Sequence, residues 1–306
     1  MEHGHIQGHH HHHHGPAVAD ASLKKIYILS IALNLAYVAI EVVTGLFNHS
    51  VGLLSDAGHN LSDIISLALA LIALGLLHSP RRDGYTYGYR KLSVLISLVN
   101  AVILLVAVGA IVTESIDKFY HPVPIDGAVI SWTAGIGILV NGFTTLLLMR
   151  GRSHDLNAKG AFLHMMADTL VSVGVVISGI VISFTDWYFI DPIIGLAVAA
   201  VILVSTWDLL RQSVRLSIDA VPEGVDVDHL LGHIREVDGV KDVHHVHVWP
   251  ISTTETALTA HLVVDDITRS EEIVRAVKAE LSEEGIVHST LEVETAGHCS
   301  DSENCC

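Results

Sequence analysis

The run AFLHMMADTLVS, residues 161–172, sets an imidazole, His164, and a carboxylate, Asp168, four residues apart in an otherwise apolar segment. A second run, SVGLLSDAGHNLSDIIS, carries Asp56, His59, Asn60 and Asp63, and His59 and Asp63 repeat the same spacing. Side chains at i and i+4 leave an α-helix on one face, so each pair can chelate from a single helix. Where two such faces meet, two imidazole nitrogens and two carboxylate oxygens converge. That donor set suits a tetrahedral Zn2+ and suits Mg2+ or Ca2+ poorly, since those ions favour oxygen shells. Cd2+, Co2+, Ni2+ and Fe2+ remain alternatives, because affinity order alone does not decide selectivity. A single polar residue in an apolar helix is readily satisfied by a neighbouring helix. Separate packing needs would seldom repeat both identity and spacing, so the matched pairs point to a site. Asn34, Glu41, Asn100 and Asn141 read as inter-helix hydrogen bonding or pore lining.

The elements that must hold these pairs follow from composition. The 306 residues are 50% hydrophobic with a mean hydropathy of +0.50, too apolar for an ordinary soluble chain of this length. Six apolar stretches, at 26–47, 51–77, 92–113, 128–149, 160–184 and 190–210, approach or exceed the ~20 residues a helix needs to cross a bilayer. Basic residues crowd one side of these stretches: Lys24, Lys25, Arg81, Arg82, Arg90, Lys91, Arg150, Arg152, Lys159, Arg211 and Arg215, against Lys118 opposite. The positive-inside rule then places both termini in the cytoplasm of a multi-pass protein of the plasma (inner) membrane. No cleavable signal peptide is evident.

From Leu216 onward 19 acidic residues face 5 basic ones, −14 of the chain's formal −16. Such a tail argues against nucleic acid or anionic lipid as partner and fits cations, although a solvated surface would look the same. Four segments result: a disordered His-rich tract at 1–20, a six-span transmembrane domain at 21–215, a cytoplasmic domain at 216–295, and a flexible end at 296–306. The first tract is either a purification tag or a native metal-capturing segment. The last holds His298, Cys299, Cys305 and Cys306, which on the reducing side of a membrane read as possible metal ligands in preference to disulfides.

Within the tail, helical periodicity near 226–236 and 270–284 and strands near 242–249, 256–264 and 289–294 predict αββαβ, a ferredoxin-like α+β domain. Strict alternation turns Val246, Val248, Leu258, Ala260, Leu262, Leu291 and Val293 toward the helices. It leaves His245, His247, His261, Glu292 and Glu294 on the open face. Those histidines and carboxylates form a metal cluster or, equally well, a solvated sheet face.

SDAGHNLSD, HMMADTLVS, YTYGYRK at 85–91, the Asp191-Pro192 pair and VHHVHVWPI at 243–251 together resemble the cation diffusion facilitators, divalent-metal/proton antiporters with six spans and a cytoplasmic domain. The likeness covers nearly all of the chain after Ala21. It implies that His59, Asp63, His164 and Asp168 form the transport site for Zn2+, exchanged for H+, and that the protein is a homodimer. It also favours metal on the open sheet face, with His247, His261 and Glu294 as ligands and Glu292 as a further possibility. Some members carry another site in the loop between spans two and three. Here the matching positions hold Arg82, Tyr85 and Tyr89, so that site is expected to be missing, with His78 an ordinary loop histidine. The alternative of a membrane-embedded zinc hydrolase lacks its usual His-Glu-x-x-His run, and a passive channel would move metal without protons.

Overall fold

The computed structural model describes residues 16–47, 51–121, 127–149, 155–185, 187 and 189–295, with some helical side chains, those of 51–59 among them, outside the described set. Six long helices come first: α1 (Pro16–Phe47), α2 (Val51–Leu77), α3 (Leu92–Tyr120), α4 (Gly127–Leu148), α5 (Leu156–Thr185) and α6 (Ile190–Ser217). The shortest has 22 residues, which at 1.5 Å per residue is about 33 Å, the thickness of a hydrocarbon core. Among the described residues, three stretches are long and apolar enough to cross a membrane: Ser22–Ile40, Leu92–Tyr120 and Pro192–Ser217. Shorter apolar stretches run Asp63–Leu77 and Gly135–Leu148.

Two helix limits differ from those expected. α1 starts at Pro16, inside the segment expected to be disordered. Proline suits the first helical position, and the alanine-rich residues after it propagate the helix without needing an apolar face. α6 continues to Ser217, because Arg211 and Arg215 extend an amphipathic turn beyond the apolar stretch.

The bundle buries polar side chains beside an apolar core and is apolar outside. Asn34, Asn60, Asp63, Ser97, Asn100, Asn141 and His164 are buried, while Leu35, Val106, Leu139, Leu146, Val204 and Trp207 are exposed. Water would not select so many exposed large apolar side chains over buried polar ones, so this distribution is the signature of a lipid-facing surface. α2 packs on α1, α3 and α5, and α5 also packs on α4 and α6. Gly160 in α5 lies so close to α3 that a Cβ there would fall 2.5 Å from Nδ2 of Asn100. Glycine therefore sets the approach of these helices one turn before His164.

The second layer comprises α7 (Val227–Glu236), β1 (Val240–Pro250), β2 (Thr256–Val264), a 3-10 turn at Ile267–Arg269, α8 (Ser270–Glu283) and β3 (His288–Thr295). β1 and β2 pair antiparallel, and β3 joins β2 in parallel after the α8 crossover. Leu230 and Ile234 of α7 and Ile273, Val277 and Leu281 of α8 bury against Val243, Val248, Leu258, Ala260 and Leu262 of the sheet.

The two layers meet at the segment after β1. Arg90 pairs with Glu255 at 2.6 Å, and Lys91 donates to the carbonyls of Leu216 and Pro250 and pairs with Asp219. The Thr253 hydroxyl donates to Asp155 at the start of α5, and the Thr253 N–H donates to Ser93 Oγ. Burial pushes the Asp155 carboxyl above its ordinary 3.8, partly offset by hydrogen bonds from Thr253, Asn157 and Ala158. A carboxyl raised in the folded state binds more protons there than when unfolded, so its contribution falls as pH rises from 3.8 toward the raised value. Asp155→Asn, which cannot ionise, is expected to flatten that part of the stability profile. Thermal unfolding of the purified protein against pH checks it; an unchanged slope would refute the assignment.

Candidate metal centre

The buried stripe of α2, Asn60, Asp63, Leu67, Ala70 and Leu74, recurs every three or four residues, while Leu61, Ile65 and Ile72 turn outward. That periodicity aims Asp63 into the bundle. α5 is buried on all sides along Gly160–Met165, which puts His164 in the interior, with Asp168 on the next turn. His164 Nε2 lies 2.8 Å from Asp63 Oδ1 and 3.9 Å from Asp168 Oδ2. One ligand atom from each of the three residues lies within 4.8 Å of the others. Asp63 and His164 are buried, and Asp168 retains 11% side-chain exposure. His59 belongs to α2 one turn before Asp63, but its side chain, like that of Glu41, lies outside the described residues.

At this separation one proton is shared between Nε2 of His164 and Oδ1 of Asp63, on whichever atom the tautomer and ionisation place it. A divalent cation taking both atoms as ligands must displace that proton. The surrounding helices supply polar support. Asn34 Nδ2 donates to the Ser30 carbonyl and to Thr144 Oγ1, and Thr145 and Thr169 hydroxyls bond back to the carbonyls of Asn141 and Met165. Asn100 and Asn141 are also buried.

A second constellation lies on the open face of the sheet. His244, His261 and Glu294 have ligand atoms within 4.8 Å of one another. His261 Nδ1 is hydrogen-bonded to Glu294 Oε1, His244 Nε2 is 3.8 Å from Glu294 Oε2, and Glu292 approaches His261 Nε2 at 3.5 Å. The structure thus joins His261 and Glu294 to His244 and leaves His247 outside the group. The register explains this: His244 lies opposite His261, whereas His247 lies opposite Thr259. Three residues on β1 span what two span on β2, a bulge with His245 at φ 51°. Alternation changes phase there, so Val243 before it and Val248 after it both face the core. His247 is exposed, its ring edge-on to His245 at 4.9 Å, and His245 stacks on His261 at 4.8 Å. The run His244-His245-Val246-His247 was the available signal, since consecutive histidines in a strand cannot share one face without a bulge.

His298, Cys299, Cys305 and Cys306 lie outside the described residues. In the loop between α2 and α3, the Tyr85 and Tyr89 rings pack at 4.8 Å and the Arg82 guanidinium sits 5.7 Å from the Tyr89 centroid.

Residues 27–216 match the family model described as the cation efflux transmembrane domain, and 222–296 match the cation efflux protein cytoplasmic domain. The chain is 34% identical over 288 residues to the cadmium, cobalt and zinc/H(+)-K(+) antiporter of Bacillus subtilis, covering 92% of this chain and 93% of that one. It is 33% identical over 298 residues to the metal cation efflux system protein CzcD of Cupriavidus metallidurans, covering 97% and 91%. With the zinc transporter ZitB of Escherichia coli it shares 33% identity over 270 residues, covering 87% and 86%. The chain belongs to the cation diffusion facilitator family, the cation efflux proteins. It is a membrane transporter and not an enzyme, which sets the hydrolase alternative aside.

Removing a ligand from the open-face group separates the two histidine assignments. In a Zn2+ titration of the full chain, His244→Ala is expected to weaken one class of sites by at least about tenfold. His247→Ala is expected to leave that class unchanged; the reverse order of effects would refute the geometry.

Proposed function

We propose that this protein exports Zn2+ from the cytoplasm in exchange for H+ by alternating access. In this reading α1–α6 are six spans with both termini cytoplasmic, in the plasma (inner) membrane. His59, Asp63, His164 and Asp168 form the transport site, and the protein works as a homodimer. The observation that carries the reading is the 2.8 Å contact between Asp63 of α2 and His164 of α5, which brings the two chelating faces to one point. The relatives named as zinc transporter and as cadmium, cobalt and zinc antiporter support both the metal and the exchange. The first of these names also favours Cd2+ and Co2+ as additional cargo, in line with a nitrogen and oxygen donor set that several such ions accept.

The coupling follows from the donors. Imidazole binds metal only when neutral and carboxylate only when ionised, so H+ and Zn2+ compete for the same atoms. Zn2+ arriving from the cytoplasm displaces the proton held between His164 and Asp63. Opened to the other side, the site exchanges Zn2+ for protons and carries them inward on the return. The segments at 1–20, 21–215, 216–295 and 296–306 then divide the work: the second transports, and the acidic third senses cytosolic Zn2+ through the open-face residues His244, His261 and Glu294.

Reconstitution in liposomes, with Zn2+ flux and internal pH followed together, tests the reading. Zn2+ movement that neither carries protons nor responds to a pH gradient would establish a passive channel instead. Asp63→Ala and Asp168→Ala are expected to lower flux by more than about 100-fold while leaving the protein folded, since each removes a ligand from a site with few donors. His59→Asp is expected to relax the preference among divalent ions by exchanging a nitrogen donor for a hard oxygen.

A further inference from the structure

One group of metal-ligating side chains belongs to neither site described above. On α7, His229 and His233 stand four residues apart, the spacing of the pairs on α2 and α5, and their rings meet at 4.4 Å. Facing them is the end of α8: His233 Nδ1 lies 3.8 Å from Glu280 Oε2, and ligand atoms of His229, His233 and Glu284 fall within 4.8 Å of one another. The backbone beneath is held by the core. Leu230 and Ile234, next to the two histidines, are buried, and so is Leu281, between the two glutamates. The positions are therefore fixed while the side chains reach outward.

We propose that His229, His233 and Glu284 form a third metal site, for Zn2+ or a similar transition-metal ion, that fastens α7 to the end of α8. Two imidazoles and a carboxylate are the donor set of zinc sites that leave one position for water, and they suit the oxygen-seeking Mg2+ and Ca2+ poorly. Tetrahedral ligands about 2.1 Å from an ion sit roughly 3.4 Å apart. His229 and Glu284 are exposed, so rotation of surface side chains closes the remaining gap without moving the helices. The site occupies the helical layer, on the side of the sheet away from His244 and His261, so it fills independently of the open-face group. Loaded with cytosolic metal, it resists separation of α7 from α8.

The full chain in detergent, treated with diethylpyrocarbonate and read peptide by peptide in a mass spectrometer, tests this. A metal-bound imidazole nitrogen is no longer a nucleophile, so saturating Zn2+ should slow modification of His229 and His233 roughly tenfold, and Mg2+ should not. In His229→Gln and Glu284→Gln, both changes at exposed positions, the protection of His233 should be lost. Equal rates with and without Zn2+, or protection of His233 that survives either substitution, would overturn the proposal. Neither result bears on transport through the membrane site.

Discussion

A carboxylate from α2 and an imidazole from α5 meet at 2.8 Å inside a bundle whose outer face is apolar. Neither group would be tolerated alone in hydrocarbon, where an uncompensated charge or unsatisfied polar atom costs several kcal/mol. Together they constrain where α2 and α5 run, because separating these helices takes each group away from the other. The rest of the membrane layer conforms to that contact. Asparagines, serines and threonines line the inside, leucines, valines and isoleucines coat the outside, and glycine at 160 lets α5 approach α3 one turn from the imidazole.

α5 also connects the candidate site to the cytoplasmic layer. α5 begins beside Asp155, which is bonded to Thr253 of the segment following β1, and continues through Gly160, His164 and Asp168. α3 begins beside Arg90, Lys91 and Ser93, which hold the same segment. One continuous helix, α5, therefore carries both the residue bonded to the sheet domain and the two polar residues of the candidate site. The polar joint ties the helices that carry the candidate site to a domain that holds most of the molecule's negative charge.

The cytoplasmic layer illustrates how a small irregularity decides which side chains meet. One additional residue in β1 changes the phase of the strand. His244 and His247 both reach the open face, but only the first lies beside His261 and Glu294. The core stays continuous through the change, since Val243 and Val248 bury on the same side. A bulge of this kind places an imidazole without any loss of packing.

Much of this was readable from residue order alone. Helical spacing is a property of the backbone, so the His-x-x-x-Asp pairs, the inward stripe of α2 and the six long helices follow from local geometry. The hairpin and crossover of the small sheet follow in the same way from strand periodicity. What residue order could not decide is non-local. That Asp63 reaches His164 depends on how two helices 101 residues apart pack. That His244, and not His247, stands beside His261 and Glu294 depends on pairing with a strand further along the chain. The joint at Asp155 and Thr253, and the meeting of His229 and His233 with the end of α8, likewise join segments whose positions are set by burial of apolar area over the whole layer. Periodicity fixes the direction of a side chain relative to its own element, and only packing determines which other element stands in front of it.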